Sequence, residues 1–332
     1  MIPDIKILVI RFSSIGDIIL ATSALKTIRK AFPDAKITFL TLSQYAPILE
    51  YHPDIDDISF INKDMSLKDL WEFSRQIRLK DYAHIFDLHN SLRSNLIISR
   101  SSSNIRQLKK PRWNRFLLYY FHQNNFENDF STRKMYHQYL GDIYNSEDPL
   151  PDTFLKVSKY EKIKAEKMIK DKGIDGQFLT IIPGAATIQK QWSKEKYIDI
   201  IKQLEKPVVI VGGKSDTICY EISNELNNVV NFSGKTSLRE AMAILSISMY
   251  VVGSDTGLTH AAEALGRNVS MILGPTSKET GGGVNLTESK NIQKDLWCRP
   301  CSQNGSNPCY RNSQLCMDTI SSSDVFKSIP LG

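Results

Sequence analysis

The chain has no long apolar run, and that absence removes the first large class of function. No hydrophobic stretch approaches the roughly 18 residues a helix needs to cross a bilayer. The opening residues Met1-Ile2-Pro3-Asp4-Ile5-Lys6 lack a basic segment followed by an apolar core, so no secretory signal is expected and the expected location is the cytoplasm. Cysteine is scarce, five in 332 residues, and in a reducing compartment a disulfide framework is not expected. Neither the dinucleotide fingerprint G-x-G-x-x-G nor the phosphate loop G-x-x-x-x-G-K-S/T occurs, which argues against an ordinary NAD(P) enzyme and against a P-loop nucleotide hydrolase. H-E-x-x-H and G-x-S-x-G are missing too. Acidic residues are absent between Asp87 and Glu127, where Arg93, Arg100, Arg106, Lys109, Lys110, Arg112 and Arg115 all fall. Such a stretch presents positive charge to an anionic partner.

What is present is an ordinary globular composition, 41% hydrophobic and 23% charged, with net charge +6. The length suits two domains, each with its own core. Ile5-Lys6-Ile7-Leu8-Val9-Ile10 reads as a strand buried on both faces of a parallel sheet. Ile18, Ile19, Thr22, Leu25, Ile28 and Phe32 follow at helical spacing until Pro33. Further strands are expected at 36–41, 58–61 and 84–88, with helices at 67–79 and 91–99. The second half repeats the rhythm, with strands at 178–182, 208–211, 229–232, 250–252 and 269–273. Its helices are expected at 159–172, 194–205, 216–227, 237–246 and 257–265. Two βαβ series mean two doubly wound α/β domains with ligands at the carboxyl ends of their strands. The boundary is expected in Asp148-Pro149-Leu150-Pro151-Asp152, giving domains 1–150 and 151–332.

Polar loops follow the expected strands. Arg11-Phe12-Ser13-Ser14-Ile15-Gly16-Asp17 follows the first. Asp17 is either a carboxylate that takes a proton from a substrate hydroxyl or an N-cap for a helix starting at Ile18. In the second domain Pro183-Gly184-Ala185-Ala186-Thr187 leads to Lys190, a point charge suited to phosphate. Gly212–Asp216, Gly234–Leu238 and Gly274–Thr276 follow later strands. Gly253-Ser254-Asp255-Thr256-Gly257-Leu258-Thr259-His260 is the most informative loop. Asp255 and Thr256 stand where a helix begins, where their side chains can cap it and free N–H groups attract anions. A carboxylate beside those donors suits hydroxyls, so a ligand that is part sugar and part phosphate is expected. Cys298-x-x-Cys301 has the spacing of a zinc knuckle that Cys309 and Cys316 could complete. The alternative is four reduced thiols packing a loop-rich segment.

The patterns R-x-S-S-x-G-D, P-G-A-x-x-x-x-K-x-W, G-K-T-S-L, G-x-D-T-G-L-x-H-x-A-x-A-L-G and G-P-T, in this order, resemble glycosyltransferase family 9. The resemblance runs from about Lys6 to Val325. It implies a GT-B architecture, two Rossmann-like domains facing a central cleft. It also implies inverting transfer of L-glycero-D-manno-heptose from ADP-heptose to the inner core of lipopolysaccharide. By the same resemblance Asp17 is the catalytic base and Lys190, with Thr187 nearby, holds the donor diphosphate. Asp255 binds heptose hydroxyls, and Thr256, Gly257 and Leu258 bring amides to the diphosphate. His260 belongs to the donor site, Thr236, Ser237 and Leu238 to its adenine side, and Asp216 to the ribose. Ser13, Ser14 and Arg93 are the expected acceptor contacts, and Arg11 is either a further acceptor contact or only a brace for the catalytic loop. No metal is required, since lysine and backbone dipoles take up the charge developing on ADP.

The late cysteines, ending Cys316-Met317-Asp318, resemble the second heptosyltransferase, which acts on heptosyl-Kdo-lipid A. Gly281-Gly282-Gly283 suits the first, which acts on Kdo-lipid A. Another donor sugar or a surface-polysaccharide acceptor is the enzymatic alternative. A non-catalytic nucleotide-sugar or nucleic-acid binder is the alternative of another class, and nucleic acid is not the expected partner. Trp113–Phe121 is either a helix buried in the first domain or an interfacial segment touching the inner leaflet. The last helix, near 323–329, is expected to cross back to the first domain.

Overall fold

The computed structural model describes residues 5–311 and 313–330, so the outermost residues of both expected domains lie outside what is described. The chain forms two compact units, residues 1–110 with 132–156, and residues 111–131 with 157–332.

The first unit is built on a parallel sheet of β1 (Lys6–Ile10), β2 (Lys36–Leu42), β3 (Asp57–Ile61), β4 (His84–Asp87) and β5 (Asn104–Gln107), in the order β3-β2-β1-β4-β5. Ile7 to Ile10 are fully buried, as a central strand covered on both faces requires. The helix after β1 spans Ile15–Ala31, three residues earlier than the apolar spacing from Ile18 suggests. Ser14 is its N-cap and Asp17 the third helical residue, so Asp17 is not the N-cap of a helix starting at Ile18. It answers Ser14 in a reciprocal capping box instead.

The second unit is built on β6 (Leu179–Ile182), β7 (Val208–Ile210), β8 (Val229–Asn231), β9 (Tyr250–Ser254), β10 (Val269–Ile272) and β11 (Lys290–Ile292). They run parallel in the order β11-β10-β9-β6-β7-β8. In both sheets the chain winds outward from a central strand in one direction, then returns to that strand's other side and winds the opposite way. The reversal falls between β1 and β4 in one unit and between β6 and β9 in the other. It opens a crevice at the strands' carboxyl ends, where doubly wound sheets bind ligands.

The last helix, Ser322–Phe326, groups with the second unit. It packs on the helix Lys194–Gln203, and Val325 and Ile329 are buried in the second unit's core. The helix Arg112–Phe121 is not buried in the first domain. It groups with the second unit, and of its side chains only Leu118 is buried.

Candidate functional site

Both reversal points carry an organised carboxylate. In the first unit the loop leaving β1 meets the loop leaving β4. Arg11, itself buried, joins them: one guanidinium nitrogen donates to the Leu88 carbonyl at 2.7 Å and the other lies 2.8 Å from Asp17 Oδ2. The same Oδ2 accepts from the Ser14 N–H at 3.2 Å and the Ser14 hydroxyl at 3.1 Å, while Tyr136 donates to Oδ1 at 3.2 Å. Burial pushes the Asp17 carboxyl up, but the Arg11 charge and the Ser14 hydrogen bonds outweigh it and hold the group below its ordinary value. Asp17 is therefore ionised at neutral pH, and its side chain keeps 36% of its exposure.

Beside it, Asp87 at the end of β4 accepts the N–H groups of His89 at 3.0 Å and Asn90 at 2.9 Å, which shapes the second loop. Burial, with Arg11 and Lys110, pushes the His89 imidazole down to about 3, so it is neutral. Ser13 is half-buried and Ser14 exposed in the β1 loop. Arg93 lies in the first turn of the helix Leu92–Ile98, with its guanidinium donating to the Lys63 carbonyl at 2.9 Å.

In the second unit Asp255 follows β9 and is almost fully enclosed. Lys190 Nζ, at the end of the short turn Ile188–Lys190 after β6, lies 2.8 Å from its Oδ2. Thr276 donates its hydroxyl to the same oxygen at 2.6 Å, and His260 Nε2 stands 3.4 Å from Oδ1. Burial raises the Asp255 carboxyl, yet Lys190 and His260 reverse that and leave it far below the ordinary carboxylate range. Gly282 closes on this group so tightly that a Cβ there would sit 3.1 Å from Asp255 Oδ2. Gly305, with φ +77°, backs Lys190: a Cβ would lie 2.6 Å from Lys190 Cγ. Thr187 donates toward the Asn304 carbonyl at 3.4 Å. Two distant segments, 281–283 and 304–305, thus wall the Lys190–Asp255 pair.

The expected capping at 255–256 is corrected. Thr256 is the N-cap of the helix Gly257–Ala264, but its side chain makes no capping bond, and the Asp255 carboxylate turns to Lys190 and Thr276. The first-turn amides of Gly257 and Leu258 therefore have no side-chain acceptor from the cap, as a helix N-terminus that receives an anion requires.

Of the remaining expected residues, Asp216 follows β7 and accepts the Gly213 N–H at 2.7 Å. Ser237 caps the helix Leu238–Ile247 by accepting the Glu240 N–H at 3.2 Å, between half-buried Thr236 and Leu238. The four late cysteines and Cys219 are free thiols. Among the described residues no group of three or more His, Cys, Asp or Glu side chains is arranged to hold a metal.

Tyr136 and His89 complete these clusters without a local sequence signal, and Thr276 joins them. Thr276 sits in the G-P-T pattern, which was its only signal. Arg299 holds that loop by donating to the Gly274 carbonyl and, at 2.9 Å, to the Thr276 carbonyl.

Residues 70–310 match glycosyltransferase family 9 (heptosyltransferase). The lipopolysaccharide heptosyltransferase 1 of Campylobacter coli is 23% identical over 355 residues, covering 98% of each chain. The lipopolysaccharide heptosyltransferase 2 of Salmonella typhimurium is 25% identical over 302 residues, covering 82% of this chain and 84% of its own. The solved structure of the Escherichia coli ADP-heptose lipopolysaccharide heptosyltransferase II superposes with a TM-score of 0.75 at 21% identity, over 98% of this chain and 97% of that one. The two parallel-sheet units have the GT-B fold. The chain belongs to glycosyltransferase family 9 and is a glycosyltransferase.

Proposed function

We propose that this protein transfers L-glycero-D-manno-heptose from ADP-heptose to a heptosyl-Kdo-lipid A acceptor in lipopolysaccharide core synthesis, with inversion at the anomeric carbon. The observation that carries the reading is the Lys190–Asp255 pair at the second unit's reversal point, flanked by Thr276, His260 and a helix N-terminus. A nucleoside diphosphate-sugar needs both signs of partner, cation and amides for the diphosphate and a carboxylate for the sugar hydroxyls. Lys190 with the Gly257 and Leu258 amides supplies the first, and Asp255 the second. Thr187 and Asp216 border the same donor, with Thr236, Ser237 and Leu238 on its base side.

Asp17 is the proposed general base. It takes the proton from the acceptor hydroxyl as that oxygen bonds to C1 and the C1–O bond to ADP breaks. The electron pair leaves on the β-phosphate, where Lys190 and the helix amides receive the charge. Arg11, Ser13, Ser14 and Arg93 are the proposed acceptor contacts. No step calls for a metal or a further cofactor. A lipid-linked acceptor makes the cytoplasmic face of the inner membrane the proposed place of work.

A second reading, transfer to Kdo-lipid A, is favoured by the full-length match to the Campylobacter coli heptosyltransferase 1. Incubation with ADP-heptose and either Kdo-lipid A or heptosyl-Kdo-lipid A, followed by mass spectrometry, separates the two. A heptose increment only on the heptosylated acceptor supports the first reading, and one only on Kdo-lipid A replaces it with the second. Donor binding without an increment on either overturns both acceptor assignments. A repeat in EDTA tests metal independence.

A further inference from the structure

The helix Arg112–Phe121 turns its aromatic side outward. Its inner side is held by polar contacts: Arg115 donates to the Glu279 carbonyl at 3.2 Å and Tyr119 to Gln303 at 2.8 Å, beside buried Leu118. Trp113, Phe116 and Tyr120 share the outer side at helical spacing. Trp113 stacks on Phe116 with centroids 5.4 Å apart, and Phe116 meets Tyr120 at 5.1 Å and Phe121 at 5.7 Å. The strip continues onto the distant cysteine-bearing loop. His122 meets Trp297 at 4.7 Å, Trp297 meets Tyr310 at 6.3 Å, and the Arg311 guanidinium lies over both of those rings. Trp113, Phe116, Tyr120, Phe121, Trp297 and Tyr310 keep between 41% and 67% of their exposure.

We infer that this strip is a docking surface for an anionic lipid bilayer, with the aromatic rings seated at headgroup depth and Arg112 and Arg311 facing lipid phosphates. Tryptophan and tyrosine favour that depth because each joins an apolar ring to a polar edge. No Asp or Glu occurs in 112–122 or in 297–311, so the strip repels no headgroup. A second copy of this chain is a poorer occupant. In a two-fold contact the strip would meet itself, setting arginine against arginine with no carboxylate of the strip to answer. The choice of a bilayer deepens the lipid-linked acceptor reading above and rests on it.

Flotation with phosphatidylglycerol vesicles and with phosphatidylcholine vesicles tests the surface directly. The unaltered protein should float with the former, and Trp113→Ser/Tyr120→Ser/Trp297→Ser should lower its partition coefficient at least tenfold. R112Q/R311Q should weaken binding to phosphatidylglycerol and flatten its salt dependence. Unaltered flotation in the triple variant overturns the inference. So does an unaltered protein that ignores phosphatidylglycerol but forms dimers that the triple variant loses. Brominated lipids give a readout independent of any folding defect. They should quench the unaltered protein's tryptophan emission and largely spare W113F/W297F, which keeps the aromatic surface; equal quenching of both counts against it. Transfer to a delipidated, water-soluble acceptor should survive in the triple variant. If the unaltered protein floats yet transfers no heptose, the proposed reaction fails while the surface stands.

Discussion

Asp17 and Asp255 stand at equivalent crevices of two sheets wound the same way, yet their surroundings differ in kind. Asp17 is held by an arginine that is itself anchored to a neighbouring loop, by a capping serine and by a tyrosine hydroxyl, with a third of its side chain open. Asp255 is enclosed by Lys190, Thr276, His260 and the backbone at Gly282. Arginine keeps its charge whatever the carboxylate does, and its rigid fork, one nitrogen on the Leu88 carbonyl and the other on Asp17, fixes where that charge sits. Lysine is a flexible point charge that a diphosphate can draw away from its partner. In the proposed reaction the first cluster presents the reacting oxygen, and the second holds a cation until the donor claims it.

The largest effect should fall on Asp17. Asp17→Asn keeps the shape and removes the base, so turnover should drop by about 10²–10⁴-fold. ADP-heptose affinity, measured by calorimetry, should stay within about a factor of three. Near-normal turnover would remove Asp17 from the role of base and erase the contrast. Asp255→Asn should break the opposite way. It leaves Lys190 with no counter-ion in a nearly closed site, a change that costs about 3–5 kcal/mol, and denaturant unfolding should register it. If Asp255→Asn is as stable as the parent, the pair is not acting as a buried ion pair.

Lys190→Ala comes next. Removing one charge-stabilising contact costs about 2.7–4 kcal/mol in the barrier, and donor affinity should fall with it, unlike Asp17→Asn. A loss of turnover with donor binding intact would mean that Lys190 acts on the transition state alone. Tyr136→Phe should have a smaller effect. The ring stays under Arg11, 5.6 Å from the guanidinium, and only the hydrogen bond to Asp17 goes. A hydrogen bond to a charged group contributes about 1.5–3 kcal/mol, and this one is long, so kcat should change by about tenfold or less. An effect as large as that of Asp17→Asn would make Tyr136 a participant in proton transfer.

Much of this contrast was legible in the sequence, because strands buried on both faces advertise themselves. Ile7–Ile10 and Val208–Ile210 are uninterrupted apolar runs, and the loops that follow such strands carry Asp17, Lys190 and Asp255. Two of the edge strands, unlike β3 and β8, do not advertise themselves. Asn104–Gln107 and Lys290–Ile292 are polar and partly exposed, so nothing in their pattern separates them from loop. The helix Thr132–Gln138 was hidden for another reason. Its buried face includes Arg133 and His137, and these read as surface residues until their partners, Asp152 for one and Ser23 and Thr27 for the other, are known. Tyr136 reaches Asp17 across 119 residues of sequence, and no local pattern encodes such a contact.

Arg11→Gln sharpens the comparison through pH. In the parent the Asp17 carboxyl lies below its ordinary value because Arg11 and Ser14 outweigh burial. Its stabilising contribution is therefore complete above the unfolded carboxylate value, about 3.9, and is lost as pH falls through the lower folded value. The acid limb of kcat should accordingly lie below the range of an ordinary carboxylate. Taking away the guanidinium leaves burial, the largest influence on the group, opposed by the hydrogen bonds from Ser14 and Tyr136. The carboxyl should rise, and the acid limb should move to higher pH while the plateau at neutral pH falls less than in Asp17→Asn. Arg11→Lys, which restores the charge without the two-nitrogen fork, should bring the limb most of the way back. A limb that stays in place in Arg11→Gln would mean that Ser14 and Tyr136 alone set the ionisation of Asp17. Arg11 would then serve only to tie the loop after β1 to Leu88.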